Sequence, residues 1–429
     1  MNAAIFLVLV TTTLTAADIK VGVARVDISP PAGHAMAGYG ARKQLSTGTH
    51  DPLYATVMVL KSDTESLAIV TADLHSCHSA RVESEAAKKF GIANVLLACS
   101  HTHAGPVTTA PAAYGLQIPN LKFGDNDPWW RSTEDKLIAA IGEAARTLAP
   151  ARLGVGTGSV YIGHNRRRVL ADGKVEMFWR NAEKVPTSPV DPTITILRVD
   201  GSDSKPRAIL INYACHPTVL GPDNLQISAD YVGTMRAFLE KQFPGATVLF
   251  ANGAIGDINP YFDKQSVNDN PWEAVRWTGE TLGEAAGKVI ARVKTAPESK
   301  LQFASKVHTF DHRFNANEHV NVAMGVGMLG DAKNSTCFVS LSADPFVDHQ
   351  IRLRDRDDCT HTLLFSHTST KGVPHARYLP TIRAASEGGY GADSSTFAEP
   401  GAGEILIDRA IVQLLKFQGR LKPVPDLRY

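Results

Sequence analysis

The chain has 429 residues, of which 44% are hydrophobic and 20% are charged, and its formal net charge is +1. This composition is typical of a folded globular protein, and the length suffices for one large domain or two smaller ones. The charges do not gather into a long basic or acidic block, which argues against nucleic acid or another polyanion as the partner.

The N-terminus has the pattern of a secretory signal peptide. An apolar run from Ala3 to Val10 is followed by small and hydroxylated residues that end in Ala16 and Ala17. The run is too short to cross a bilayer. Its order predicts that residues 1–17 are cleaved and that the protein is exported to the periplasm or the medium. The alternative is a buried N-terminal strand, and the rest of the sequence has no run of transmembrane length.

Apolar strand-like runs alternate with helical patterns along the remaining chain. In order they are a strand at 67–74, a helix ending at Gly91, a strand at 93–103, a helix at 132–150, a strand at 207–217, a helix at 228–243, a strand at 246–260, a helix from Trp272 to about Val293, strands at 336–346 and 361–369, and a helix at 403–419. Ser132 and Asp135 are a possible capping pair for the second helix, and Pro150 would end it. The alternation predicts an α/β fold, a mixed β-sheet core flanked by helices.

The pattern predicts one large domain with an embedded lobe around residues 155–205. Within that lobe the sequence VYIGHNRRRVLADGKVEMFW indicates a β-hairpin that turns at Ala171, Asp172 and Gly173. Asp-Gly is a frequent turn dipeptide because glycine tolerates a positive φ.

The five cysteines contain no CxxC pair, so a structural zinc cluster is not expected. Cys99 and Cys215 lie inside apolar runs and are expected to pack as small hydrophobic residues. Cys337 and Cys359 flank neighbouring strands and could form a disulfide in an oxidising compartment. The odd number leaves at least one free thiol.

Polar side chains follow several of the predicted strands. In open α/β sheets ligands bind beyond the carboxyl ends of the strands, so we expect these side chains to meet at one edge. They are Asp73, His101, His103, His216, Asp257, Asn259 and Asp344.

His101 and His103 lie two residues apart beyond one apolar run. In an extended chain they would share a face, roughly 6.6 Å apart at Cα. One imidazole could bind a metal while the other acts as a second ligand or as an acid/base, and two histidines with one or two oxygen ligands are usual for a hydrolytic Zn²⁺. Each residue alone has a plainer interpretation, because a buried histidine is usually just hydrogen-bonded and an aspartate such as Asp344 often serves a turn.

Seven motifs occur in order along the chain: VGVARVDISPPAGHAMAGYG (21–40), HDPLYATVMVL (50–60), SHTHAGP (100–106), NYACHPTVL (212–220), GAIGDINP (253–260), YLPTIRAASEGGYG (378–391) and PGAGEILIDRAIVQLL (400–415). Together they resemble the catalytic domain of neutral/alkaline (non-lysosomal) ceramidases. The resemblance covers nearly all of the chain after the signal peptide. It implies a zinc-dependent amidohydrolase that cleaves an N-acyl bond.

The resemblance also implies roles for particular residues. Zn²⁺ would be held by His101, His216, Asp344 and Tyr378, with His375 as a possible substitute for the tyrosine. His103 would stand at the reaction centre, and Arg166 would hold the polar head of the substrate or a developing oxyanion. The plainer interpretation of the arginine run 166–168 is a solvated hairpin edge. Asp257 and Asp230 could orient the histidines through hydrogen bonds to their ring nitrogens.

Three features depart from the family pattern. Asp344 replaces a glutamate and is one methylene shorter. Asn259 replaces a serine, and an amide can donate to an oxyanion but cannot form an acyl-enzyme, so the chemistry should run through a zinc-activated water. The sequence ends at Tyr429, so residues 18–429 are expected to form the catalytic domain without the family's C-terminal immunoglobulin-like domain, which argues against ceramide itself as the substrate.

The leading hypothesis is therefore an exported zinc hydrolase that acts on a linear amide in a small lipid-like or N-acyl substrate. One alternative is a non-catalytic lipid- or glycan-binding relative, which the replacements at Asp344 and Asn259 suggest. Another is a metallo-esterase that uses the same site. Metal content together with turnover of N-acyl substrates discriminates among them, because function resides in the site rather than in the fold.

Overall fold

The computed structural model describes residues 18–110, 113 and 115–421, so the predicted signal peptide lies outside the described residues. Within them the strands, in chain order, are β1 (Lys20–Asp27), β2 (Gly48–Thr49), β3 (Tyr54–Lys61), β4 (Ser66–Ala72), β5 (Asn94–Cys99), β6 (Ala149–Pro150), β7 (Arg152–Ser159), β8 (Gly163–Asn165), β9 (Arg167–Val169), β10 (Val175–Met177), β11 (Thr193–Asp200), β12 (Pro206–Tyr213), β13 (Gln226–Ile227), β14 (Thr247–Asn252), β15 (Ile258–Pro260), β16 (Ala296–Pro297), β17 (Leu301–Asp311), β18 (His319–Asp331), β19 (Asn334–Leu341), β20 (Asp344–Pro345), β21 (His361–Phe365), β22 (Thr368–Ser369) and β23 (Tyr378–Leu379).

The α-helices lie among these strands, and the two that the sequence does not predict begin at Val347 and Ile382. The helices are α1 (Ala80–Phe90), α2 (Pro128–Arg146), α3 (Tyr231–Gln242), α4 (Pro271–Ile290), α5 (Val347–Arg356), α6 (Ile382–Glu387) and α7 (Ala402–Phe417). Short 3₁₀ turns lie at Gly124–Asn126 and Val267–Asp269. Among the described residues, none of these helices is both long enough and apolar enough to span a membrane.

The long strands form three mixed sheets rather than one. The first sheet has the order β22-β5-β4-β3-β1-β6, the second β14-β12-β11-β7-β16, and the third β17-β18-β19-β21. Helices α1 and α2 cover the first sheet, α3 and α4 the second, and α5 and α7 the third. The predicted α/β class, with mixed sheets flanked by helices, is confirmed.

Each of the three sheets contains one β-α-β unit with a parallel pair of strands. The units are β4-α1-β5, β12-α3-β14 and β19-α5-β21. In a parallel pair both strands present their carboxyl ends at the same edge of the sheet, which is where such folds bind ligands. Three separate units can therefore deliver side chains to a common site.

The inner faces of the three sheets meet in one hydrophobic core. In β3, Met58 and Leu60 point into this core, whereas Val57 and Val59 face the helices, as the two-residue period of a strand requires. The core also holds Leu96, Leu210, Leu249, Phe303, Phe338 and Phe365. Burying one such side chain stabilises the fold by about 1.5–3 kcal/mol. A one-residue slip would exchange the two faces, so the core fixes the register.

The helix boundaries confirm one prediction and correct another. Helix α1 stops at Gly91, whose φ of +65° favours glycine. The predicted capping pair of Ser132 and Asp135 is wrong, because α2 begins earlier, at Pro128, where the Asp127 carboxylate accepts the Trp129 N–H. Proline suits the first helical position, where its missing N–H is not needed. The helix ends at Arg146, before Pro150.

The predicted hairpin is present, but the embedded lobe is not a separate unit. Strands β9 and β10 pair antiparallel around a turn in which Gly173 has a φ of +80°. The ends of the expected lobe, β7 and β11, pair with each other inside the second sheet. The segment therefore belongs to the main body of the protein.

The cysteines form two disulfides. Cys337 and Cys359 are bonded, with Cα atoms 6.1 Å apart, which confirms that prediction. Cys77 and Cys99 form a second bond, with Cα atoms 6.7 Å apart, which the sequence did not predict, although Cys99 packs in the hydrophobic core as expected. The strand end brings Cys99 close to the loop after β4, a proximity that sequence spacing does not reveal. Cys215 is free and buried, as expected.

Candidate active site

The carboxyl ends of the three β-α-β units converge on a cluster of histidines and one aspartate. His101 follows β5, His216 follows β12 and Asp344 follows β19. One ligand atom from each of these buried residues lies within 4.8 Å of those of the other two. Each residue comes from a different sheet, so the cluster forms only when all three sheets are assembled.

Both imidazoles of this cluster are held in one tautomer. The Nδ1–H of His101 donates to the His75 carbonyl oxygen at 2.7 Å, and the Nδ1–H of His216 donates to the Ile258 carbonyl oxygen at 2.9 Å. A carbonyl only accepts hydrogen bonds, so the proton of each neutral ring stays on Nδ1 and Nε2 presents a lone pair. Burial lowers the pKa of both histidines, and neighbouring histidines lower that of His101 further. Both rings are therefore suited to bind a metal through Nε2.

Asp344 is the acidic member of the cluster. Its Oδ2 lies 3.5 Å from His216 Nε2 and its Oδ1 lies 3.3 Å from His367 Nε2. Neither carboxylate oxygen, nor either of these two ring nitrogens, has a hydrogen-bond partner among the described residues. Burial alone would raise the pKa of Asp344, but His367 and His216 hold it well below its usual range. A buried carboxylate without hydrogen bonds is costly, and a divalent cation between it and the imidazoles would relieve that cost.

His103 lies beside the cluster, but not for the predicted reason. Strand β5 ends at Cys99, and His101 has a φ of +64°, so the chain is not extended here. The left-handed turn nevertheless brings His103 Nε2 to 3.3 Å from His101 Nε2. His103 packs against Gly38, where a Cβ would lie 2.4 Å from the His103 Cγ. Its backbone N–H donates to Pro217 O at 3.2 Å, which links the two histidine loops.

The two candidates for a further ligand, Tyr378 and His375, have different surroundings. Tyr378 lies directly beside Asp344, because β20 and β23 pair in parallel with these residues in register. Burial and then Tyr390 raise the pKa of the Tyr378 phenol. Nδ1 of His375 accepts the Arg377 N–H at 3.2 Å, so its neutral ring carries the proton on Nε2. His375 is thus arranged as a hydrogen-bond donor rather than as a ligand.

Arg166 and Asn259 form a second wall of the site. The short strands β8 and β15 pair with each other and bring these two residues together. Arg166 Nη1 donates to Asn259 Oδ1 at 3.1 Å, and Nη2 donates to the Gly256 carbonyl at 2.6 Å. Arg166 Nε and Asn259 Nδ2 are buried without a hydrogen-bond partner among the described residues. Both are therefore free donors, and the interpretation of Arg166 as a solvated edge residue is wrong.

The carboxylates expected to orient histidines have other partners. Asp257 accepts hydrogen bonds from the Val347 N–H and from Asn165 Nδ2, both at 2.8 Å. Burial raises the pKa of Asp257 to about 6. Asp230 accepts the backbone N–H groups of Leu220 and Tyr231, and burial raises its pKa to about 7. The carbonyls of His75 and Ile258 orient the metal-facing histidines instead.

Two histidines of the cluster were not singled out from the sequence. His367 stacks on His101, with ring centroids 3.6 Å apart, and His75 packs on the same ring at 4.0 Å. Each follows a strand, β21 and β4 respectively, as the predicted ligands do. Their position after a strand was the available sequence signal for a role in the site. His75 and His367 were missed because each occurs singly and outside a recognised motif. Asp73, which was singled out, instead pairs with Arg236.

Several known proteins are similar to this chain in sequence. A family model described as the N-terminal part of neutral/alkaline non-lysosomal ceramidase matches residues 19–289. The neutral ceramidase of Pseudomonas aeruginosa is 23% identical over 310 residues, which cover 66% of this chain and 44% of the relative. That of Mycobacterium tuberculosis is 26% identical over 293 residues, covering 61% and 44%. Neutral ceramidase B of Dictyostelium discoideum is 29% identical over 178 residues, covering 39% and 24%. The match thus spans less than half the length of each of these relatives.

The fold is also similar to solved structures. The crystal structure of the neutral ceramidase from Pseudomonas aeruginosa superimposes with a TM-score of 0.73 at 17% sequence identity, covering 95% of this chain and 75% of that chain. A ceramidase structure described as complexed with C2 gives a TM-score of 0.74 at 17% identity and covers 96% and 77%. The similarity of fold therefore extends over nearly the whole of this chain.

Proposed function

Because the chain belongs to the neutral/alkaline non-lysosomal ceramidase family, we propose that it is an exported, zinc-dependent amidohydrolase of a lipid-like N-acyl substrate. One observation carries the proposal. The Nε2 atoms of two histidines and a carboxylate approach within 4.8 Å in a buried cluster, and both imidazoles are anchored through Nδ1. This donor set is the one that hydrolytic zinc sites use.

In this proposal His101, His216, Asp344 and Tyr378 would hold Zn²⁺. When bound, the ion would polarise the scissile carbonyl and lower the pKa of a water to about 7. The Nδ1 hydrogen bonds fix the two rings, so little reorganisation is needed. Asp344 is shorter than the family's glutamate, and its pairing in register with Tyr378 holds the two oxygen donors together.

His103, Arg166 and Asn259 would assist the reaction. His103 lies in contact with His101 and carries a buried Nδ1 without a partner among the described residues, so it can take up and return a proton. The free donor on Asn259 would stabilise the oxyanion, and the free donor on Arg166 would hold the polar head of the substrate. Asn259 cannot be acylated, so no covalent acyl-enzyme is expected. Asp257 would act as a positioning residue that holds Asn165 and the first turn of α5.

Export rests on two independent features. The first is the signal-peptide pattern of residues 1–17, and the second is the pair of disulfides, which persist in oxidising compartments. We expect the mature N-terminus to lie at or near Asp18. Mass spectrometry of protein recovered outside the cytoplasm tests this, and an uncleaved N-terminus in that protein would contradict it.

The first experiment is elemental analysis of the wild-type protein beside His101→Ala/His216→Ala. We expect about one Zn per chain in the wild type and none in the variant. The control is His50→Ala/His319→Ala, which removes two exposed histidines outside the cluster. Absence of metal from the wild type, reconstituted with Zn²⁺, would overturn the proposal.

Turnover separates the remaining alternatives. The wild type and both double variants are assayed on a short-chain ceramide, a simple N-acyl amide and a matched acyl ester. Amide hydrolysis that depends on His101 and His216 supports the proposal. Ester hydrolysis without amide hydrolysis would identify a metallo-esterase, and bound metal without any turnover would favour a non-catalytic binding protein.

A further inference from the structure

The Arg166 guanidinium is a buried cation whose described hydrogen-bond acceptors are uncharged. It donates to the side-chain oxygen of Asn259 and to the backbone carbonyl of Gly256. No carboxylate within the described part of the chain forms a salt bridge with it, although the charge of Asp344 acts on it from farther away, and its Nε has no hydrogen-bond partner there. A buried charge is costly unless a counter-charge compensates it. The buried guanidinium of Arg166 is therefore a group that an anion bound in the site could neutralise.

Lys264 provides a second cation at the same place. Its Nζ lies 4.2 Å from the centre of the Trp179 ring, and the Arg166 Cζ lies 5.3 Å from the centre of that ring. Lys264 pairs with the buried carboxylate of Asp263, and Arg180 contacts the carbonyl oxygens of Asp263 and Lys264. Lys264 has a φ of +53°, so the backbone is held in a specific turn at this residue. The side chain is thus fixed beside the site rather than free in solvent.

The charges around Trp179 leave a positive surplus. Lys264 pairs with Asp263, which also accepts the Thr218 hydroxyl at 2.6 Å, whereas Arg166 forms no salt bridge among the described residues and only the more distant charge of Asp344 acts on it. Burial lowers the pKa of Lys264, Asp263 opposes this effect, and Arg166 lowers it further. The two cations are thus close enough to repel each other. An anion between them would relieve that repulsion and could also accept from the free Arg166 Nε.

We propose that Arg166, Lys264 and Trp179 form a receptor for an anionic group of the substrate, so that this enzyme prefers N-acylated amino acids or amino sulfonates to neutral N-acyl amides. The inference rests on the proposed amidohydrolase function and names its substrate class. The indole would pack against the apolar part next to the charge, and the two cations would bind the carboxylate or sulfonate. Lys264 is thus a specificity-determining residue.

The direct test uses wild-type protein loaded with Zn²⁺ and three lauroyl amides. N-Lauroylglycine carries a carboxylate, N-lauroyltaurine carries a sulfonate, and N-lauroylglycinamide is the neutral control; released laurate is measured. We expect kcat/KM to be at least about tenfold higher for one or both anions, as suits charge-assisted hydrogen bonds. If only the carboxylate substrate is preferred, the leaving group is an amino acid. If the carboxylate and sulfonate substrates are preferred equally, the receptor accepts either anionic group.

Variants assign the preference to the receptor. Lys264→Met should lower the ratio of kcat/KM for the preferred anion to kcat/KM for the neutral amide about fivefold or more, mainly through KM for the anion. Lys264→Arg should retain most of the preference. Lys174→Met, at an exposed lysine on the hairpin, is the matched control. If Lys264→Met does not fold, the wild-type substrate comparison still decides the question.

Two outcomes would overturn the inference. Equal or faster hydrolysis of the neutral amide by the wild type would overturn the inference alone and leave the amidohydrolase function intact. Failure to hydrolyse any amide, including a short-chain ceramide, would overturn the proposed function and the inference with it.

Discussion

At the scale of single residues, the site depends on positions that carry no reactive group. Gly38 has a φ of +92° and lies against the His103 ring, so it fixes where that imidazole can be. Any side chain at position 38 would collide with the His103 ring. Glycine is thus needed at Gly38 for space as well as for conformation.

We predict that Gly38→Ala lowers kcat at least about tenfold while zinc content is retained, because a displaced His103 can no longer transfer a proton. The new Cβ would lie 2.4 Å from the His103 Cγ. The matched control is Gly33→Ala, at a φ of +86° with no atom within 4 Å of the new Cβ. Both variants carry the backbone cost, about 1–2 kcal/mol, but only Gly38→Ala carries the collision. Equal activity in the two variants would contradict the prediction.

Three members of the buried cluster could be predicted from the sequence, and the details of their geometry could not. His101, His216 and Asp344 follow apolar runs within recognisable motifs, so both their position and the family resemblance indicated them. The left-handed backbone at His101 was not predictable, because it depends on hydrogen bonds with the loop after β4, such as the His101 N–H to the Leu74 carbonyl. His75 and His367 were missed because their proximity arises only from packing between sheets.

At the scale of elements, two of the three β-α-β units were predicted and the assembly of the sheets was not. The units β4-α1-β5 and β12-α3-β14 each show an apolar run, a helical pattern and a second apolar run. For β19-α5-β21 only the two strands were predicted, because α5 is short and rich in charged residues. The long hairpin of β17 and β18 was not predicted, although it forms half of the third sheet. The division into three sheets follows from pairings between strands distant in sequence, such as β7 with β11 and β5 with β22. A local pattern cannot specify such pairings.

The contact between the third sheet and α7 is expected to be sensitive to acid. Arg409 Nη1 on α7 donates to the Nδ1 of His308 on β17 at 2.7 Å, which requires a neutral imidazole. Burial, then Arg409, lowers the pKa of His308 from 6.5 to about 4. The folded state therefore disfavours the protonated ring. Its contribution to stability is present above about pH 6.5 and is lost as the pH falls through 4.

We predict that the free energy of unfolding of the wild type falls by about 1 kcal/mol more than that of His308→Gln between pH 7 and pH 4.5. The ring borders an open groove between β17 and α7, so solvent screening reduces the full effect of the shift. Urea denaturation at the two pH values measures the difference. The control is His319→Gln, at an exposed histidine on β18. The same pH dependence in wild type and His308→Gln would show that this contact does not contribute.

At the scale of the whole molecule, the candidate metal site is the point where the three sheets are joined by polar groups. His101, His216 and Asp344 follow strands of the first, second and third sheets respectively. Their ligand atoms converge within 4.8 Å, next to the apolar core that the three sheets share. A cation bound there would link all three sheets, so its effect on stability should extend beyond the site.

We therefore predict that removing Zn²⁺ destabilises the entire fold. A ligand that binds only the folded state at 1,000 times its Kd stabilises it by about 4.1 kcal/mol, which for a protein of this size raises Tm by roughly 5 °C or more. Calorimetry of chelated and zinc-reloaded protein measures the shift. Hydrogen exchange should show faster exchange after zinc removal at the ends of β5, β12 and β19 together. His101→Ala/His216→Ala should have the Tm of the chelated protein and no response to zinc. A zinc-dependent change confined to one strand end would mean that the ion binds one sheet and does not join the three.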